Sequence, residues 1–140
     1  MTEASGPGAG CIFCDAQARG GSEPLLIHQG ARSFVILNKF PYNNGHLMVV
    51  PNRHVGRLAG LDGPELSEIM TLTQASERVL EAVYHPHGFN VGLNLGKPAG
   101  AGVLDHLHWH VVPRWDGDTN FMTLVGETRV LTEKLPENTA

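Results

Sequence analysis

The segment Asp105-His106-Leu107-His108-Trp109-His110-Val111-Val112-Pro113-Arg114 is the most informative part of this chain. Three histidines in it alternate with three apolar residues, His106, His108 and His110 with Leu107, Trp109 and Val111. In a strand the imidazoles would share one face, about 6.6–7 Å apart, and the apolar side chains would share the other. In a helix only the outer two histidines would align. The β-rich composition and the closing proline favour a strand.

Three imidazoles on one face can perform phosphoryl or nucleotidyl chemistry. A neutral imidazole can attack phosphorus, and a neighbouring one can supply or accept a proton near neutral pH. The preceding loop, residues 96–102, is rich in glycine, so its backbone amides could approach phosphate oxygens closely. His-x-His on a strand is also a way to present two ligands to zinc, so a metallohydrolase with zinc on the triad itself is a competing hypothesis.

The composition predicts a single domain and argues against several classes of protein. The chain has 140 residues, a net charge of -4 and no run of Lys or Arg, which does not favour a nucleic-acid or membrane-surface binder. Residues 1–10 are small and polar without an apolar segment, so we expect a disordered tail, no signal peptide and a cytoplasmic protein. We predict a domain over 11–121 and a C-terminal extension over 122–140.

Cys11 and Cys14 form a C-x-x-C pair. In a reducing compartment this spacing indicates metal or redox chemistry more often than a structural disulfide. No predicted strand precedes the pair, as a thioredoxin-like site would need, so zinc is the better hypothesis. Two nitrogen ligands must then come from elsewhere, and His54 and His106 are the candidates.

The remaining pattern predicts an α+β domain with a mainly antiparallel sheet. Short strands are expected at 25–28, 33–37, 46–51 and 89–95, before the histidine strand, and an edge strand at 128–131. Asp62 followed by Glu65 reads as a capping box, and apolar residues at helical spacing extend from there to about Tyr84.

Three segments together resemble the histidine triad (HIT) superfamily. Residues 106–112 match its His-φ-His-φ-His-φ-φ signature, residues 37–51 resemble the upstream strand, loop and strand, and residues 11–14 resemble the start of its zinc-containing branch. Residues 89–96 and 113–121 are similar to the bacterial diadenosine-tetraphosphate phosphorylase/hydrolase subgroup. The resemblance covers about residues 11–125. It implies a HIT-like fold, with a sheet of about five strands, one long helix, and sheets joined across a homodimer that could pair further into a tetramer.

The resemblance also implies roles for individual residues. His108 would be the nucleophile on the α-phosphorus, forming a nucleotidyl-histidine intermediate, and His110 would contact the oxygen of the scissile bridge. A structural zinc would be held by Cys11, Cys14, His54 and His106, with no organic cofactor. Candidates for substrate binding are Asn38 at the ribose, Asn94 and the loop glycines Gly100 and Gly102 at the phosphates, Phe13, Phe34 and Ile36 at the base, and His46.

The substrate would be a dinucleoside polyphosphate, with phosphate or water as the second acceptor. Some phosphorylases of this type carry a serine in the glycine loop where this chain has Ala101-Gly102-Val103, and a glutamine that several hydrolases place before the triad is absent. The sequence therefore does not decide between phosphate and water as the second acceptor. Alternative functions are hydrolysis of nucleoside phosphoramidates, or a nucleotide-binding regulatory module with little turnover.

Overall fold

The computed structural model describes residues 10–38, 45–96 and 106–117. The tail before Gly10, the glycines Gly100 and Gly102, the strand expected at 128–131 and the extension over 122–140 lie outside these ranges. Within them the chain forms the following elements in order: α1 (Ile12–Arg19), β1 (Leu26–Gln29), β2 (Ser33–Leu37), β3 (Leu47–Pro51), α2 (Gly63–Tyr84), β4 (Gly88–Leu93) and β5 (Trp109–Arg114). Short 3-10 turns span Gly20–Ser22 and Leu58–Gly60.

The five strands form one sheet in the order β1-β2-β3-β5-β4, and every pairing within it is antiparallel. The predicted α+β class, the antiparallel sheet of five strands and the single long helix are confirmed. β5 lies between β3 and β4. Its residue His110 pairs with Met48 of β3 on one side and with Gly92 of β4 on the other. The triad segment therefore leads into the interior of the sheet.

The predicted extent of the histidine strand is wrong at its start, because β5 begins only at Trp109. His106 and His108 precede it and lie outside the strand pairings of the described residues. Other bonds hold this part of the chain: the Leu107 amide donates to the Val55 carbonyl at 2.8 Å. A loop carbonyl from before α2 thus takes the place that a neighbouring strand would occupy.

Helix α2 has the boundaries that its sequence pattern predicts. The Asp62 side chain accepts from the Glu65 amide at 2.8 Å, and Glu65 accepts from the Asp62 amide at 3.0 Å, so both bonds of the capping box are present. The helix ends at Tyr84, and His85 adopts the left-handed conformation with φ 51°. Pro86 and Gly88 follow and do not continue the helix.

Helix α1 was not predicted. Cys11 is its N-cap, with extended backbone angles, and the Cys11 sulfur accepts from the Cys14 amide at 3.4 Å. The two cysteines therefore stand one turn apart at the start of a helix. Because serine, threonine, aspartate and asparagine are the usual N-caps, a cysteine in that position gave no sequence signal.

The sheet has a separate apolar core on each face. The core on the α2 side contains Val35, Leu47, Val49, Leu61, Ile69, Leu80, Leu107, Trp109 and Val111. The core on the α1 side contains Cys11, Phe13, Ala16, Phe34, Ile36, Met48 and Val50. Burying a side chain such as Ile69 contributes about 1.5–3 kcal/mol, so α2 fixes the sheet from one side. The histidines of the triad segment lie toward the other side, with α1.

Gly45 lies where α2 approaches the start of β3. It has a φ of 82°, and a Cβ there would lie 2.6 Å from Tyr84 Cε2 and 2.8 Å from Leu80 Cδ2. Any other residue would be strained and would clash with the helix. Glycine in this position lets the chain pass under α2 and enter the sheet at Leu47. In the part of the chain that the structure describes, no helix has both the length and the apolar character needed to cross a membrane.

Candidate active site and metal centre

His108 is held in one tautomer by the backbone. Its Nδ1 lies 3.1 Å from the carbonyl oxygen of His106, and a carbonyl can only accept, so Nδ1 carries the proton. The lone pair of the neutral ring is then on Nε2. Burial lowers the pKa of His108, partly offset by the bond to the His106 carbonyl, so the ring is neutral at pH 7. A neutral imidazole with a free Nε2 is the form that acts as a nucleophile.

His110 is bonded to a second buried histidine. Its Nδ1 lies 2.8 Å from His46 Nε2, and the Asn38 amide nitrogen lies 3.1 Å from His46 Nδ1. With the Asn38 amide in this orientation, His46 Nδ1 accepts and His46 Nε2 donates to His110 Nδ1. The remaining proton of His110 is then on Nε2. The two rings of the segment stand next to each other, since the His108 and His110 centroids are 5.0 Å apart.

The His46–His110 pair is neutral. Burial, with the nearby His108 as the second cause, lowers the pKa of His46 to about 3. Burial, followed by the charges of His46 and His108, lowers the pKa of His110 well below its ordinary value of 6.5. His110 is therefore suited to donate a hydrogen bond, and poorly suited to carry a positive charge.

Four side chains converge on one point beside the triad and could hold a metal ion: Cys11, Cys14, His54 and His106. Their ligand atoms all lie within 4.8 Å of one another. The distance from Cys11 Sγ to His106 Nδ1 is 3.2 Å, that from Cys14 Sγ to His54 Nδ1 is 3.3 Å, and the two histidine Nδ1 atoms are 3.2 Å apart. The prediction that these four residues lie together is confirmed.

The donor set fits a tetrahedral zinc ion. Zn–S bonds near 2.3 Å and Zn–N bonds near 2.0–2.1 Å place tetrahedral ligand atoms about 3.3–3.8 Å apart, close to the distances found here. His106 Nε2 lies 2.9 Å from the Pro51 carbonyl and donates to it, which leaves Nδ1 unprotonated and facing the cluster. Burial, followed by the neighbouring Cys11, raises the pKa of Cys14 to about 11 in the absence of an ion. Thiols packed this closely are stabilised as thiolates by a cation.

An ion pair that the sequence pattern did not predict anchors the loop carrying His54. Arg53 Nε and Nη2 donate to the two carboxylate oxygens of Glu65 at 2.7 Å each, and Nη2 also donates to the Gly60 carbonyl at 2.7 Å. Glu65 is only 4% exposed. The pair joins the loop after β3 to the first turn of α2. Twelve residues separate its members, so no local pattern indicates it.

The remaining predicted site residues have the following surroundings. Phe13, Phe34 and Ile36 are buried together in the core on the α1 side. Alternation along β4 places Asn90 and Gly92 on the face of His110, and Asn94 directly follows the strand. His28, His85 and His87 are exposed.

Comparison with known proteins agrees with this geometry. Residues 22–117 match the HIT domain family. An AP-4-A phosphorylase of Mycobacterium tuberculosis is 50% identical over 113 residues, which are 81% of this chain and 58% of the relative. A bis(5'-nucleosyl)-tetraphosphatase (asymmetrical) of Schizosaccharomyces pombe is 34% identical over 100 residues, 71% of this chain and 54% of the relative. The chain thus spans a little over half the length of these two relatives.

A solved structure with the same fold carries zinc. It is a Zn-bound histidine triad family protein from Mycobacterium smegmatis, with a TM-score of 0.69 and 28% sequence identity over 91% of this chain and 96% of that protein. The match of the family covers well over half of the 140 residues, including the whole triad. This chain therefore belongs to the HIT domain family.

Proposed function

We propose that this protein is an enzyme that transfers a nucleotidyl group from a dinucleoside polyphosphate, such as diadenosine tetraphosphate, through a covalent intermediate on His108. The observation that carries the proposal is the bond from His108 Nδ1 to the His106 carbonyl, which leaves Nε2 as the nucleophilic atom. The identity to the M. tuberculosis phosphorylase and the S. pombe tetraphosphatase supports the substrate class.

In the first step His108 Nε2 attacks an α-phosphorus. A nitrogen–phosphorus bond forms, the bond from that phosphorus to the bridging oxygen breaks, and the remaining nucleoside polyphosphate leaves with the electron pair. Such a leaving group is stable as an anion, so it needs no full proton transfer. The nucleotidyl-histidine that remains is a phosphoramidate with Nδ1 still bonded to the His106 carbonyl.

His110 would stabilise the leaving oxygen. With Nδ1 bonded to His46 at 2.8 Å, the His110 proton lies on Nε2, and this Nε2–H would donate to the bridging oxygen as negative charge develops there. Because burial keeps the pKa of His110 well below 6.5, it would act as a neutral donor at pH 7. Asn38 and His46 then serve to fix the tautomer of His110 from behind.

In the second step phosphate or water attacks the same phosphorus and releases His108. Ion-exchange analysis of the products from diadenosine tetraphosphate, with and without inorganic phosphate, distinguishes the two acceptors. We expect ADP and ATP that appear only with phosphate, the outcome that matches the M. tuberculosis relative. ATP and AMP without phosphate would make the protein a hydrolase. No turnover in either sample would overturn the proposal and favour nucleoside phosphoramidates or a binding module.

We also propose that the four-ligand cluster holds a structural zinc ion. Two thiolates and two imidazoles would complete a tetrahedron and leave no open position for a substrate, so the ion would supply a crosslink between α1, the loop at His54 and the triad segment. Since His106 would be a ligand, the ion would lie beside the nucleophile, and a closed set of four protein ligands would keep it out of the reaction.

Homodimerisation is a further expectation, and β4 is the edge that suits it. β4 ends the sheet opposite β1, and it exposes 48% of Val91. An exposed strand edge with apolar side chains can pair with a second copy and extend the sheet. Sedimentation of the wild type and of Val91→Arg tests this, with a dimer expected for the first and a monomer for the second.

A domain over 11–121 and a cytoplasmic location also stay predictions.

A further inference from the structure

Phe13 is a buried aromatic residue between Cys11 and Cys14, the two cysteines of the metal-ligand cluster that also contains His54 and His106. Its ring centroid lies 4.9 Å from that of His108, with the planes tilted by 44°, and 5.5 Å from that of His106, edge to face at 67°. Only 2% of Phe13 is exposed. It therefore contacts both the residue proposed as nucleophile and the metal-ligand residue two positions before it.

The position of Phe13 is set by the residues on either side of it. Cys11 Sγ lies 3.2 Å from His106 Nδ1, and Cys14 Sγ lies 3.3 Å from His54 Nδ1. Both ends of the first turn of α1 are thus fixed to the loop and to the triad segment. The backbone that carries Phe13 is therefore held beside His108 by a contact on either side.

The His108 ring needs a contact of this kind. Its bond from Nδ1 to the His106 carbonyl fixes the proton, but a single hydrogen bond allows the ring to pivot about it. The rings of Phe13 and His110, with centroids 4.9 and 5.0 Å away, limit that motion. In-line attack requires the Nε2 lone pair to point at phosphorus, and a small misalignment of reacting atoms costs rate without weakening substrate binding.

We propose that Phe13 is a positioning residue for His108, held in place by the metal-ligand cluster on either side of it. This inference rests on the proposed function, because it assumes that His108 attacks phosphorus. It differs from the role at the nucleobase that the family resemblance implies. A residue that only flanks the base affects KM and does so differently for different bases, whereas a residue that aligns the nucleophile affects kcat and is indifferent to the base.

The test compares Phe13→Leu with the wild type on diadenosine and diguanosine tetraphosphate. We expect kcat to fall about tenfold or more for both substrates, with KM changed by less than about twofold. The carbon-bound ring protons of His108, followed by NMR, should shift because the ring current of Phe13 is lost. Ile69→Val, a truncation in the core on the other face of the sheet, is the control and should leave kcat and the His108 signals unchanged.

An unchanged kcat, or a loss that lies in KM and depends on the base, would overturn the inference. Equal losses of kcat in Phe13→Leu and Ile69→Val would also overturn it, because the effect would then be one of general stability. If Phe13→Leu does not fold, Phe13→Met serves instead, because the unbranched methionine side chain adapts more readily to the space left by the ring. His108→Ala is measured in the same assay: turnover by that variant would contradict the proposed function itself, whereas an inactive His108→Ala beside a fully active Phe13→Leu contradicts this inference alone.

Discussion

His46 Nε2 lies 2.8 Å from His110 Nδ1, and only 2% of His46 is exposed. His46 is therefore behind His110, on the side away from solvent, and it comes from a different part of the chain, directly before β3. The Asn38 amide nitrogen lies 3.1 Å from His46 Nδ1 and continues the line of hydrogen bonds. In this arrangement His46 orients His110 from the interior.

Replacement of His46 by alanine should lower kcat by about 10- to 100-fold, because His110 loses the partner that fixes its tautomer. Metal content should not change, since His46 is not a member of the ligand cluster. Steady-state kinetics and metal analysis on the same sample measure both effects. His87→Ala, at an exposed histidine, is the matched control and should retain wild-type turnover. A His46→Ala enzyme with normal kcat would show that His110 needs no such partner.

Replacement of Gly92 by valine should reduce turnover without lowering the melting temperature. Gly92 lies directly opposite His110 on the neighbouring strand, so a side chain there would stand about 4.5–5.5 Å from the His110 Cβ and cover its ring. Valine suits a strand better than glycine, so stability should be kept or increased. Gly88→Ala is the control, because a Cβ at that position has no atom within 4 Å. Full activity of Gly92→Val would mean that this side of His110 is not used by the substrate.

Loss of the proposed zinc ion should destabilise the fold. Cys11→Ser removes one of four ligands, and we expect reduced zinc content and a melting temperature lower by roughly 10 °C, the shift that a loss of about 3 kcal/mol produces in a domain of this size. Plasma emission spectrometry and calorimetry provide the two readouts. Asp15→Asn, an exposed carboxylate next to Cys14 and outside the ligand cluster, should change neither value. Unchanged stability after complete removal of zinc would contradict a structural role.

The Arg53–Glu65 pair predicts a specific dependence of stability on pH. The hydrogen bond that Arg53 donates to Glu65 holds the pKa of the Glu65 carboxyl below its ordinary value of 4.5 in the folded state. A lowered folded-state pKa means that the carboxylate stabilises the fold above about pH 4.5 and loses this effect as the pH falls through the folded-state pKa.

Urea unfolding of the wild type and Glu65→Gln measures this contribution. The wild type should be the more stable protein at pH 7, and the difference should shrink steadily below pH 4.5. Glu77→Gln, at an exposed position of the same helix, should have the same stability as the wild type at pH 7 and below pH 4.5. A difference for Glu65→Gln that is constant down to pH 3 would mean that packing, and not the ion pair, accounts for it.

The sequence predicts those elements whose signals are local. The capping box at Asp62 and the apolar spacing after it predict both ends of α2, and short apolar runs between turn residues place four strands within one or two residues of their observed bounds. The C-x-x-C spacing, with His54 and His106 as candidates from elsewhere in the chain, indicated the ligand cluster because metal chemistry requires those residue types. Family resemblance supplied the roles of His108 and His110, which alternation alone left open.

The parts that the sequence did not predict depend on contacts between distant segments. β5 begins at Trp109 because Leu107 bonds to Val55, a residue that no pattern connects with the triad. The Arg53–Glu65 pair and the contact between Phe13 and His108 arise only when the loops meet around the sheet. Such contacts carry no periodicity, so a single sequence gives no signal for them.

The most direct test of the central claim is to look for a nucleotidyl group on His108. The protein is mixed with diadenosine tetraphosphate in the absence of phosphate, quenched within milliseconds at alkaline pH, where phosphoramidates survive, and its intact mass is measured. We expect a transient species heavier by one adenylyl group in the wild type, located on the peptide that contains His108, and no such species in His108→Ala. Turnover by the wild type without this adduct, or an equal adduct in His108→Ala, would contradict the account.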